Sequence, residues 1–96
     1  MNNYMIYIEE PSRNKDINLK FIGDCYSTSI NNVFNRCDYI NHAINEYPIE
    51  YFFNELKKEL QTGHQLSSVS KEEIEMLINK IYDYKDSCSY IMAMRY

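Results

Sequence analysis

The sequence predicts an α+β domain: a three-stranded antiparallel or mixed sheet with three helices packed on one face, in the order β-β-α-α-α-β. Three observations carry that expectation. Apolar residues alternate with a period of two near both ends of the chain, they recur with a helical period through the middle, and Pro11, Gly23, Pro48 and Gly63 separate the segments.

Tyr4, Ile6 and Ile8 point to one side of the first segment, and Met5, Tyr7 and Glu9 to the other. Their β-branched and aromatic content suits a pleated surface. Pro11 supplies no ladder donor and ends the strand. After a polar connection, Ile17, Leu19 and Phe21 alternate with Asn18, Lys20 and Ile22. An antiparallel hairpin follows, and Gly23-Asp24 is expected to close its second strand.

Ile30, Val33, Phe34, Cys37, Ile40 or Asn41, and Ile44 form one apolar stripe of a first helix, with Ser27 or Thr28 as its hydroxyl cap. That helix is expected to run to Glu46 or Tyr47, where Pro48 opens a second helix at a position that needs no N–H. Ile49, Phe52, Phe53, Leu56 and Leu60 make its buried face, and Gly63 stops it. Ser70 and Glu73 have capping-box spacing, with Val69 and Ile74 as the staple pair, so a third helix is expected to start at Ser70. Its face is Ile74, Leu77, Ile78 and Ile81, extended by Tyr82 or the Lys85 stem. In the last segment Tyr90, Met92, Met94 and Tyr96 oppose Ile91, Ala93 and Arg95. This third strand must join the hairpin to satisfy its backbone.

Ninety-six residues allow one domain, spanning 1–96, and no second core. Ten basic and fourteen acidic side chains give a net charge of −4, divided evenly between the two halves. No basic run offers a nucleic-acid footprint. No secretory leader or membrane-spanning stretch can be read. Cys25, Cys37 and Cys88 are an odd number without close spacing, which fits free thiols in a reducing, cytoplasmic setting.

The chemistry-bearing residues form no complete set. Cys25, Cys37, Cys88, His42 and His64 lack paired zinc spacing, and His42 sits where it could pair with Asp38 one helical turn earlier. Cys25 precedes a helix start, where a thiol could be activated, and the hydroxyls of Ser27, Thr28 and Ser29 could cradle an anion there. A thiol nucleophile also needs a base in reach, so a small cysteine-dependent enzyme is an alternative and not the leading reading. Glu9, Glu10, Glu55, Glu59, Glu72, Glu73 and Glu75 could share protons or bind a cation, but all fall at positions that a solvated face explains. No metal, cofactor or catalytic residue is assigned.

Ten tyrosines, with no tryptophan, are the unusual feature. A phenol buries a large ring and keeps a polar tip, which suits recognition surfaces. Tyr7, Tyr39, Tyr51 and Tyr84 flank the apolar faces, and Glu72, Glu73 and Glu75 supply nearby charge. These seven residues are the expected protein-binding set. The functional expectation is a small acidic module that inhibits or regulates a macromolecular partner by occluding a basic surface. Phage- and mobile-element-encoded inhibitors are the analogous class. Pairing of an open sheet edge with a second copy, giving an oligomer, is a second mode. The nucleic-acid alternative is a single-strand binder that stacks bases on Tyr7, Tyr90 and Tyr96, with Arg13, Lys15, Lys20 and Arg95 as the cations.

Overall fold

A computed structural model describes residues 3–11, 17–41, 46–61, 66–87 and 89–96. The elements are strand β1 (Tyr4–Pro11), strand β2 (Ile17–Cys25), helix α1 (Thr28–Asn41), strand β3 (Glu46–Pro48), helix α2 (Ile49–Gln61), helix α3 (Ser68–Ile81), a 3-10 turn at Tyr82–Tyr84, and strand β4 (Tyr90–Arg95). They form one antiparallel sheet in the order β2-β1-β4-β3, with three helices. The last strand therefore lies inside the sheet, between β1 and β3.

Alternation decides which face is buried. Tyr4, Ile6 and Ile8 of β1 pair in register with Arg95, Ala93 and Ile91 of β4, and Tyr47 of β3 pairs with Ile91. All of these except Arg95 are buried. Ile30, Val33, Phe34 and Cys37 of α1, Phe52 and Leu56 of α2, and Ile74, Leu77 and Ile81 of α3 close the same core. Aromatic rings knit its centre: Tyr4 stacks on Phe34 at 4.4 Å, and Phe34 meets Phe52 at 5.1 Å. Gly23 lets α3 approach β2, since a Cβ there would lie 2.8 Å from the end of Met76. Buried apolar area of this kind supplies most of the folding free energy.

Arg95 ends β4 on the helix side of the sheet. Its guanidinium reaches Asp38 of α1, donates to the Tyr47 hydroxyl at 2.9 Å, and lies over the rings of Tyr4 and Phe34. The Tyr47 hydroxyl in turn donates to Asp38. This polar cluster ties β4 and the edge strand β3 to α1.

Four features differ from the sequence expectation. The sheet has four strands, not three: Glu46–Pro48 is a strand paired with β4, where continuation of the first helix and a proline-led second helix were expected. Three residues are too short to display alternation, and Pro48 is tolerated because β3 is an edge strand. Strand β2 runs past Gly23 to Cys25, because a register shift opposite Ile6 and Tyr7 brings Ile22 and Cys25 both to the buried side. Helix α3 is capped by Ser67, whose hydroxyl accepts from the Ser70 N–H, so Ser70 lies inside the first turn. On α2, Glu55 and Glu59 are buried while Leu60 is exposed. Arg36 of α1 turns the helix: its Nε and Nη1 donate to Glu55 and Glu59 at 3.1 and 2.7 Å. Ile44 of the expected first stripe and Gly63, the expected stop of the second helix, lie outside the described residues.

Candidate functional site

The thiols are core residues. Cys25 and Cys37 are free and fully buried, and burial pushes both up to about 12, so each is a neutral apolar side chain at physiological pH. His42, His64 and Cys88 lie outside the described residues. Among those described, no group of three or more His, Cys, Asp or Glu side chains could hold a metal, and no helix is long and apolar enough to cross a membrane.

The hydroxyl-rich start of α1 holds an anion from within the chain. Glu73 reaches across from α3 and accepts from the N–H groups of Tyr26 and Ser27, each at 3.0 Å. Ser27 then caps α1, its hydroxyl accepting from the Ile30 N–H. A cavity of about 420 Å³ lies beside this junction, lined by serines from the starts of α1 and α3 and by Glu59. Two backbone donors of this turn, those of Tyr26 and Ser27, are thus already bound to Glu73.

The seven expected contact residues separate. Tyr7 stands half-buried on the sheet face away from the helices, with its ring edge-on to Phe21 at 5.5 Å. Tyr51 packs against the core, and its hydroxyl is buried. Tyr84 also packs there and accepts from Lys20 at 2.8 Å. Glu72 and Glu75 are exposed on α3, whereas Glu73 is committed to the α1 backbone. Tyr39 belongs to α1, and its side chain lies outside the described set.

What surrounds Tyr7 forms the candidate site. Antiparallel partners project to the same face, so the registers place a contiguous ladder opposite the core. Met5 pairs with Met94, Tyr7 with Phe21 and Met92, and Glu9 with Leu19 and Tyr90. Leu19, Phe21, Tyr90 and Met94 are 44–53% exposed. Three carboxylates bound this apolar field. Asp24 stands opposite Met5 and accepts from the Tyr96 hydroxyl at 2.6 Å, Glu46 stands opposite Met92, and Glu9 lies between Leu19 and Tyr90.

No lysine or arginine stands on this face among the described residues. Lys20 and Arg95 both turn to the helix side, beside Ile8 and Tyr4 at opposite ends of β1, and so do not cluster. Arg13 and Lys15 lie outside the described residues.

Sequence reading picked out Tyr7 here and missed Leu19, Phe21, Met92 and Met94 as a shared surface. The available signal was that the first and last strands are apolar on both sides. Helices confined to one face of a sheet can cover only half of such strands. No family model, curated protein or solved structure matches the chain.

Proposed function

We propose that this chain is a small acidic protein-binding module, an inhibitor or regulator that lays the open face of its sheet on a basic surface of a macromolecular partner and occludes it. One observation carries this reading: an apolar and aromatic sheet face lies exposed, bounded by carboxylates and without a cation among the described residues. A contiguous exposed apolar field marks an interaction site more often than a neutral surface. Tyr7, Phe21, Tyr90 and the methionines supply desolvated contact area at modest entropic expense. The carboxylates steer a basic partner and oppose an acidic one.

A second copy is a poor occupant at neutral pH, because face-to-face pairing sets Glu9, Asp24 and Glu46 of one copy against the same three in the other. Nucleic acid meets the same repulsion, since phosphate contacts need cations and the described residues of this face supply none. Two free buried thiols support a reducing, cytoplasmic setting for the encounter.

Affinity capture from a cell extract, run in parallel with wild type and a folded Phe21→Lys variant, tests the proposal. Phe21 is exposed, so the variant retains the core. The expected result is a basic protein retained by wild type, released by raised salt and absent from the variant eluate. A partner retained equally by both proteins overturns the sheet-face reading. Nuclease-sensitive retention overturns it in favour of base stacking.

A further inference from the structure

We infer that Glu9 is an ionic receptor in the sheet face that takes an arginine side chain of the partner. This rests on the reading of the open face as a docking surface and specifies what docks at one end of it.

The position of Glu9 is unusual for a carboxylate. It sits on β1, an internal strand, between Leu19 of β2 and Tyr90 of β4, and is only 8% exposed although it belongs to the open face. Glutamate is a poor strand residue, and a half-buried sheet surface favours β-branched or aromatic side chains there. Its Oε2 is buried without a hydrogen-bond partner among the described residues. The two cationic side chains on the described strands are engaged on the helix side: Lys20 donates to Tyr84, and Arg95 to Asp38.

An unpaired buried carboxylate is unfavourable in the free protein and is a strong acceptor for any donor that reaches it. Burial, and secondarily the negative charge of Glu46, push the Glu9 carboxyl above its ordinary range. Both effects would be offset by one incoming cation.

The surroundings select arginine over lysine. A planar guanidinium can donate to both oxygens of the Glu9 carboxylate at once, where an ammonium offers a point charge, and Glu46, in the Tyr7–Met92 row two strands away, adds negative charge to the same field. Tyr90, in register with Glu9 and 44% exposed, presents a ring on which a guanidinium can stack. Leu19 and Phe21 lie alongside on β2, so the ligand chemistry is an arginine flanked by apolar side chains.

The test uses a blocked hexapeptide that alternates leucine with arginine, its lysine counterpart, and the full chain labelled for NMR. Titrations compare wild type with Glu9→Gln, Glu46→Gln and Phe21→Ser. The expected result is that resonances of Tyr7, Phe21, Tyr90 and Met92 shift, and that the lysine peptide binds more weakly. Glu9→Gln is expected to weaken the arginine peptide roughly tenfold, as loss of a charge-assisted pair does. Glu46→Gln gives a smaller loss in the same direction. If the peptide shifts the sheet face but Glu9→Gln and wild type bind it equally, the receptor assignment is overturned while the docking surface stands. If no sheet-face resonance moves, or Phe21→Ser binds unchanged, the docking surface itself fails.

Discussion

Cys25 of β2 and Cys37 of α1 sit inside the core, and their chemistry is set by that burial before any charged neighbour acts. Desolvation is the largest influence on both, followed by Glu73 for Cys25 and Glu55 for Cys37, and together they raise each thiol from about 9 to about 12. The consequence for stability has a definite sign. The folded protein holds these protons more tightly than the unfolded chain, so the contribution is complete below the ordinary thiol range and is lost as pH climbs from about 9 toward about 12. Between those limits each thiol removes up to about 1.4 kcal/mol per pH unit. Urea unfolding followed from about pH 8 to about pH 10.5 should therefore show falling stability. Cys37→Ala should begin lower, because it leaves a small cavity, and should decline less steeply. A slope identical in the two proteins would remove the thiol from the explanation. In the native protein Cys25 and Cys37 should also resist alkylation at neutral pH, since thiolate is the reactive form.

At the scale of elements, the junction between α1 and α3 depends on Glu73. Its two oxygens accept from consecutive backbone N–H groups just ahead of α1, so a side chain of one helix caps the start of another. Glu73→Ala leaves the buried Ser27 N–H without that acceptor and should lower stability by about 2 kcal/mol, read by urea unfolding. Glu73→Gln keeps one acceptor oxygen and should lose about half as much. A loss below about 0.5 kcal/mol in the alanine variant would show that water replaces the carboxylate there. The same residue marks what a sequence can disclose. Ser70 and Glu73 have capping-box spacing, and the helix they announce exists, but the residue that caps it is Ser67 and Glu73 serves a helix 46 residues earlier in sequence. Local spacing identifies donors and acceptors, whereas their partners depend on which helices the sheet brings together. The strands and the three apolar helix faces were legible because periodicity is local. Strand β3 was not, since only pairing with β4 makes three residues a strand. The burial of Glu55 and Glu59 depended equally on a distant residue, Arg36. For the candidate site, the tyrosine excess pointed toward a surface. Its composition from Leu19, Phe21, Met92 and Met94 required the register.

On the whole molecule, charge and apolar surface are divided between the two sides of the sheet. On the helix side Arg36, Lys20 and Arg95 are engaged in internal contacts. The open side carries an apolar ladder and three carboxylates. Hydrophobic attraction between two such faces is opposed at neutral pH by like charge, so the balance should shift with protonation. Burial, then Glu46, raises the pKa of Glu9, so this carboxylate is neutralised earlier than an exposed one as pH falls. Among the described residues its register neighbours are Leu19 from β2 and Tyr90 from β4, neither of them cationic, and Glu46 from β3 adds negative charge. Repulsion between two faces must therefore weaken on acidification. Sedimentation velocity should find monomer at about pH 7.5 and a growing dimer fraction toward about pH 5. Raised salt at neutral pH should promote dimer more weakly, by screening the exposed carboxylates. Loss of net charge near pH 5 also promotes indiscriminate association, and Phe21→Ser separates the two effects because it removes apolar surface and leaves the charge unchanged. Specific pairing should disappear in that variant, while indiscriminate association should persist. The combined Glu9→Gln and Glu46→Gln variant should dimerise already at neutral pH. Should it remain monomeric there, carboxylate repulsion is not what keeps the faces apart.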